Sequence, residues 1–350
     1  MKILQDYSID ELKTILDGLG EKPFRAKQIF SNMMNGKKIS EMTDISLALR
    51  EKLYTEYADE PCKIIKELTS KEDGTKKFLF AMSDGNVIEG VLMRYKYGNT
   101  ICVSTQVGCR MGCKFCASTL GGLVRNLTAG EILSEVLTVN RLENGTMNDR
   151  KITNIVLMGS GEPLDNYDEV LKFLRLVSSA DGINISPRNI SLSTCGLVPA
   201  IYKLSDEKLP INLTVSLHNP FDEKRREIMP VSNKYKVKEI LDACDYYFKK
   251  TGRRFYFEYS LISGQNDTDE CVSELIALLK HRPCHVNLIR LNAVKEKNLL
   301  GTSEKRAYDF MKKLNDGGVS ATVRRRMGAD IDGACGQLRR SFVNGEQNDG

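Results

Sequence analysis

Residues 109 to 116 read Cys109-Arg-Met-Gly-Cys113-Lys-Phe-Cys116, a C-x3-C-x2-C run. Three thiolates this close can grip one metal centre from a single loop, and a chain with three histidines in 350 residues offers few other soft ligands. A structural zinc site wants four protein ligands, usually as two separated pairs, so this run fits zinc poorly. A cubane fits better. Each iron of a 4Fe-4S centre takes a thiolate, and three cysteines leave one iron open to a small molecule.

The rest of the chain is consistent with a large enzyme core. With 41% hydrophobic residues it can bury an extensive interior, and its length suggests one large domain plus an accessory segment. A net charge of +5 is mildly basic and allows a polyanionic partner without demanding one. No apolar run is long enough to span a bilayer, and Met1-Lys2-Ile3 leads into polar sequence rather than a signal peptide, so a cytoplasmic protein is expected. Of the ten cysteines, three crowd one loop and the others are scattered, a pattern of reduced thiols plus a metal site.

Before the cysteine loop the pattern changes twice. Ser8-Ile-Asp-Glu11 is a capping box for a short helix with Leu12, Ile15 and Leu16 on its apolar side, and two more helical patterns follow from about Phe24 to Met34 and Leu47 to Tyr57. Residues 1–60 thus read as a helical accessory domain, either a packing cap or an RNA grip. Residues 61–100 read as a strand meander, with Asp73-Gly74 and Asp84-Gly85 at tight turns and a last strand, Thr100 to Gln106, running straight into the cysteine loop.

Beyond Thr128, whose spacing to Glu131 makes another capping box, strand and helix patterns alternate. Strands are expected at Ile152 to Met158, Asn189 to Thr194, Ile211 to Leu217, Arg254 to Leu261, His285 to Leu291 and Val319 to Arg324. Alternation of this kind predicts an α/β fold with a parallel sheet, read as a full or partial (β/α) barrel over residues 101–342. Chemistry in such barrels collects at the C-terminal face, where the cysteine loop, Gly159 to Pro163, Ser193 to Gly196, Ser216 to His218 and Asn292 all fall. Residues 343–350 read as a disordered polar tail.

The run with Phe115 before its last cysteine resembles the signature of radical S-adenosylmethionine (SAM) enzymes. The likeness widens over Cys102 to Cys109, Met158-Gly-Ser-Gly-Glu-Pro163, Ser193-Thr-Cys-Gly196, Ser216-Leu-His218 and Asp330 to Leu338, which in order resemble the RlmN type of RNA adenine methyltransferase. The resemblance implies one 4Fe-4S cluster on Cys109, Cys113 and Cys116. It also implies a SAM site of Gly161, Glu162, Ser193, Ser216, Leu217, His218 and Asn292. Its implied substrates are adenine 2503 of 23S rRNA and adenine 37 of tRNA, so the chain would serve rRNA and tRNA processing. The implied electron donor is a flavodoxin- or ferredoxin-like protein, and the expected state is a monomer without membrane association.

The chemistry of carbon 2 explains why further cysteines would be wanted. That carbon lies between two ring nitrogens, is electron-poor and cannot attack the SAM methyl, whereas a thiolate can. As the resemblance implies, Cys335 takes a methyl from one SAM, and a radical from a second SAM removes a hydrogen from the S-methyl group. The carbon radical adds to the adenine, Glu89 accepts the ring proton, and Cys102 resolves the protein–RNA adduct through a transient disulfide bond with Cys335.

Several of these residues have plainer readings. Gly159 to Pro163 could be an ordinary βα turn, His218 a strand-end histidine with a satisfied hydrogen bond, and Glu89 a solvent-facing strand residue. Cys62, Cys195, Cys244, Cys271 and Cys284 read as small buried hydrophobes. Basic clusters at Lys224-Arg225-Arg226, Lys249-Lys250 with Arg253-Arg254, Arg324-Arg325-Arg326 and Arg339-Arg340 each read most simply as solvated faces, though the last two flank Cys335 and could neutralise phosphates beside an extruded base. Two alternatives stand beside the preferred one. A Cfr-like enzyme would methylate carbon 8 of the same adenine. Arg290 resembles that branch, while Gly161-Glu-Pro163 and Cys109 to Leu127 resemble RlmN. A noncatalytic zinc- and RNA-binding protein is the alternative from a different class.

Overall fold

The computed structural model describes residues 1–291 and 299–331. Three helices open the chain: α1 (Ile9–Gly18), α2 (Arg25–Met34) and α3 (Leu47–Glu56). The capping box at the start of α1 forms as read, with Ser8 Oγ accepting the Glu11 N–H and Glu11 Oε2 accepting the Ser8 N–H at 2.7 Å. Leu12, Leu16, Phe30, Met33, Met34 and Leu53 are buried in the same hydrophobic cluster as Ile132, Leu133, Val136 and Leu137 of α4 (Ala129–Leu142). The helical module therefore shares its core with the rest of the chain. Each fully buried leucine or phenylalanine there contributes about 1.5–3 kcal/mol.

The meander forms β1 (Cys62–Thr69), β2 (Lys76–Met82), β3 (Val87–Tyr95) and β4 (Gly98–Cys102), with Gly74 and Gly85 in the left-handed region at the two turns. The strand expected from Thr100 to Gln106 is broken. β4 ends at Cys102, and β5 (Gln106–Gly108) leaves the main sheet to pair antiparallel with β6 (Leu123–Asn126), a strand without a sequence expectation. The break has a physical cause: Val103 O accepts from the Gly159 N–H and the Ser104 N–H donates to the buried Glu135 carboxylate, so these backbone groups are bonded elsewhere.

From α4 onward the chain alternates: β7 (Ile152–Leu157), α5 (Tyr167–Val177), β8 (Ile190–Thr194), α6 (Val198–Asp206) and β9 (Asn212–Ser216), then α7 (Asp222–Ile228) and α8 (Val237–Thr251) before β10 (Phe255–Leu261). α9 (Asp269–Leu279), β11 (Cys284–Arg290), α10 (Glu304–Asp316) and β12 (Ala321–Val323) complete it. One sheet of ten strands results, in the order β1-β2-β3-β4-β7-β8-β9-β10-β11-β12. From β4 to β12 all neighbours are parallel. β1 and β12 are its two edges, so the α/β architecture is a partial barrel, with the helical module packed outside.

Alternate residues sort to the two faces of the sheet. Leu192, Leu213, Phe257 and Leu288 are buried in the core cluster that the helices share. Asn154, Ser191, Thr214, Tyr256 and Asn287 line an inner cavity of about 390 Å³. The lumen mixes these polar side chains with Met93, Val156 and Met158, where a closed barrel packs branched apolar chains throughout. Between the sheet edges, the segment after β12 is pinned to the β1–β2 turn. Asp330 accepts from Ser70 Oγ at 2.6 Å and Lys71 N–H at 2.9 Å, and the Gly328 N–H donates to Asp73 at 3.0 Å. No helix among the described residues is long and apolar enough to cross a membrane.

Candidate active site

Local backbone bonds shape the cysteine loop. The Cys109 N–H donates to Gly122 O at 2.9 Å, the Lys114 N–H to Ile228 O at 2.9 Å, and Thr119 Oγ1 to the carbonyls of Cys113 and Cys116. Cys109, Cys113 and Cys116 all line one cavity of about 240 Å³ at the C-terminal ends of the strands. Burial pushes the Cys109 thiol up to about 12 and the Cys113 thiol up as well, so the protons stay until a metal takes their place. Among the described residues, no group of three or more His, Cys, Asp or Glu is gathered closely enough to hold a single metal ion. Three soft thiols from one loop, sharing one cavity, suit a cubane, whose irons take one thiolate each, better than a lone zinc, which wants a fourth protein ligand.

Opposite the cysteines runs the loop after β7. Gly161 has φ of 108°, and a Cβ there would lie 2.6 Å from Gln106 Cβ and 2.8 Å from Gln106 N, so only glycine lets the two backbones approach. The Glu162 N–H donates to Gln106 Oε1 at 2.8 Å. The Glu162 carboxylate is buried and accepts from the Cys195 N–H at 2.7 Å and the Leu164 N–H at 3.0 Å, tying the loops after β7 and β8 together. Burial raises its pKa. Ser160 acts through its backbone, its carbonyl accepting from the N–H groups of Thr105 and Gln106.

Ser193, Ser216 and His218 line the same cavity as the cysteines, Gly161 and Glu162. Leu217 does not. It is buried in the core, its N–H donating to Glu258 O. His218 has φ of 55°, a left-handed conformation that costs a non-glycine residue energy. Asn266 compensates, donating to His218 O at 2.6 Å and Ser260 O at 2.7 Å. His218 Nδ1 accepts the Ser260 N–H at 2.9 Å, so the neutral ring carries its proton on Nε2. Burial, with the Arg225 charge second, lowers its pKa to about 3. The ring is a hydrogen-bond donor at neutral pH, and Phe115 meets it edge-on at 4.6 Å.

Arg225 is not on a solvated face. Its side chain is fully buried and its pKa is lowered by burial. The guanidinium donates to Leu217 O, Cys195 O, Ser216 O and Ser232 Oγ at 2.7–2.9 Å, knotting three loops of the cavity. Lys224, Arg226, Arg324, Arg325 and Arg326 are exposed.

Cys102 ends β4 among Val91, Met93, Val156, Met158 and Met327, and Met158 lines the cavity of the cluster cysteines. Glu89 is not solvent-facing. It is buried on β3, 3.6 Å from the ammonium of the fully buried Lys77. Two further groups went unread in the sequence. Glu258, buried in β10, lines both cavities. Its Oε1 accepts from Asn287 at 3.3 Å and its Oε2 lies 3.5 Å from Arg324, while burial raises its pKa. A charged residue in an otherwise largely apolar strand is the signal that could have marked both Glu258 and Lys77.

The expected disulfide bond is a correction. No two of the nine described cysteines are joined. They occupy separate apolar surroundings, Cys62, Cys244, Cys271 and Cys284 in the main core, Cys113 and Cys195 beside Met229, and Cys102 beside Val91. Burial at Cys62, Cys195, Cys244 and Cys284 favours the protonated thiol over the thiolate that exchange needs. Cys335, Asn292, Arg339, Arg340 and the expected tail at 343–350 lie outside the described residues.

Comparison with known proteins agrees with this geometry. Residues 103–279 match the model of the radical SAM superfamily, and residues 3–58 that of the ribosomal RNA large subunit methyltransferase N-terminal domain. The chain is 55% identical over 345 residues to the probable dual-specificity RNA methyltransferase RlmN of Clostridium perfringens, covering 98% of each. It is 50% identical to the protein of that description from Lachnoclostridium phytofermentans, covering 97% of this chain and 95% of that one. A crystal structure of a radical SAM methyltransferase from Sphaerobacter thermophilus superposes with a TM-score of 0.91 at 40% identity, over 96% of this chain and 99% of that one.

Proposed function

The chain belongs to the RlmN family of radical SAM RNA methyltransferases, and from that premise we infer that it methylates carbon 2 of adenine in 23S rRNA and in tRNA. The observation that carries the reading is the single cavity shared by the three cysteines with Gly161, Glu162, Ser193, Ser216 and His218. The alternative of carbon 8 chemistry finds no support in relatives this similar.

Cys109, Cys113 and Cys116 would hold one 4Fe-4S cluster. With SAM bound, that cluster supplies a 5'-deoxyadenosyl radical, and SAM is the methyl source, two molecules serving one turnover. The chain's own residues do the rest. Glu162 and Arg225 hold the loops around the SAM site in place, with Asn292 assigned to the same site. His218 offers an Nε2–H donor, and Gly161 lets backbone approach the ligand. Cys335 accepts the methyl and carries it to the base, Glu89 takes the ring proton that the methyl replaces, and Cys102 resolves the protein–RNA adduct. Residues 1–60 and the exposed arginines at 324–326 are assigned to RNA contact. A flavodoxin- or ferredoxin-like protein is the proposed electron donor, to a cytoplasmic monomer.

The test is anaerobic: reconstitute the cluster, supply SAM with a deuterated methyl group and a reductant, and weigh the Cys335 peptide and the methylated adenosine from rRNA and tRNA. Label on Cys335 together with 2-methyladenosine supports the reading. Label in 8-methyladenosine moves the enzyme to the other branch, and a working cluster with unmethylated Cys335 sinks the carrier mechanism.

A further inference from the structure

One buried cation on the inner face of the meander has no part in the steps above. Lys77 is 0% exposed, and its Nζ lies 3.6 Å from Glu89 Oε2 on a side chain that is 4% exposed. Lys77 pairs across the sheet with Val91, and Val91 with Cys102. The three side chains therefore form one row on one face, with Glu89 two residues along β3 on that same face, the diagonal neighbour of Lys77. The preceding Lys76 points the other way and pairs with Glu67 and Glu143 nearer solvent.

Lysine is almost never fully buried unless paired, and a buried ion pair is a poor device for stability, since two apolar residues of similar size commonly serve as well or better. The pair calls for another explanation. A buried base must present its carboxylate to the substrate in one orientation, and a fixed cation beside it on the same face of the sheet sets that orientation. At 3.6 Å the ammonium supplies charge without the short bond of about 2.8 Å that would commit the carboxylate to Lys77.

We propose that Lys77 is a positioning residue for the methyl transfer, holding the Glu89 side chain aimed beside Cys102 so that it can receive the ring proton. The proposal rests on the reading of Glu89 as the base. Methylation of Cys335 involves no ring proton, so it should not depend on Lys77.

The experiment compares Lys77→Met, Glu89→Gln and the double variant as full-length, cluster-reconstituted proteins. Three quantities are read: methylation of Cys335, covalent protein–RNA adduct by mass, and released 2-methyladenosine. Lys77→Met should methylate Cys335 as the parent does, accumulate adduct and release product roughly 100-fold more slowly, the low end of what a general base contributes. The double variant should match Glu89→Gln in adduct and release, because Lys77 serves these steps through Glu89. Adduct in Glu89→Gln alone, with normal turnover in Lys77→Met, would overturn the proposal. So would a double variant substantially worse than Glu89→Gln, and since it removes both members of the pair, it remains informative if Lys77→Met fails to fold. If no adduct accumulates in either single variant, the reading of Glu89 as the base fails first.

Discussion

At the scale of single residues, His218 shows how a side chain can be recognised in sequence while its role is not. Ser216-Leu-His218 marks a strand end, yet the neutral ring follows from the Ser260 N–H, 42 positions away in sequence, and from burial beside Arg225. A consequence is acid sensitivity. The folded ring titrates near 3 and the unfolded ring near its usual value of about 6.5, so the unfolded chain binds the extra proton between them. Folding stability should therefore fall as pH drops through that window, by about 1.4 kcal/mol per pH unit from this group. Urea unfolding of the cluster-free protein and of His218→Asn, asparagine being tolerant of positive φ, should show a smaller loss between pH 6.5 and 4.5 in the variant. Equal slopes would mean that the ring is protonated in the folded state.

Elements were easier to place than the contacts between them. Alternating apolar residues and capping boxes placed the starts of α1 and α4 and the strands β7 to β11 within a residue or two, because local patterning decides them. β6 and the break after Cys102 escaped, since they depend on bonds that reach the loop after β7. The buried groups Lys77, Arg225 and Glu258 escaped for a similar reason: a charge in a strand or helix looks the same whether solvent or a buried partner awaits it. Gly161 tests the close approach of the loops after β4 and β7. Gly161→Ala must strain a φ of 108° and displace Gln106, costing about 1–3 kcal/mol. SAM affinity should fall at least tenfold by equilibrium dialysis while the circular dichroism spectrum is kept; unchanged affinity would mean that the loop relaxes freely.

Over the whole molecule, a net charge of +5 is modest for a protein that must grip a polyanion, and Arg225 is withdrawn into the interior. The exposed Arg325 and Arg326, beyond β12 at the open side of the partial barrel, are better placed to neutralise phosphate. Reversing both to glutamate should weaken RNA binding broadly and reduce the slope of log affinity against log salt by about 2, with Cys335 methylation unaffected. An unchanged slope would place the RNA elsewhere.

The seam between β1 and β12 gives the barrel wall two different lifetimes. Strands within the sheet are held by continuous ladders over a core that must come apart before their amides meet solvent. The gap beside them is spanned by hydrogen bonds donated to the carboxylates of Asp330 and Asp73, which can break without exposing that core. In hydrogen exchange, the amides of Lys71 and Gly328 should trade deuterium through small openings at rates insensitive to denaturant, while those of β8 to β10 wait for global unfolding. The side of the barrel nearest the start of the Cys335 segment would then open many times for each unfolding of the molecule.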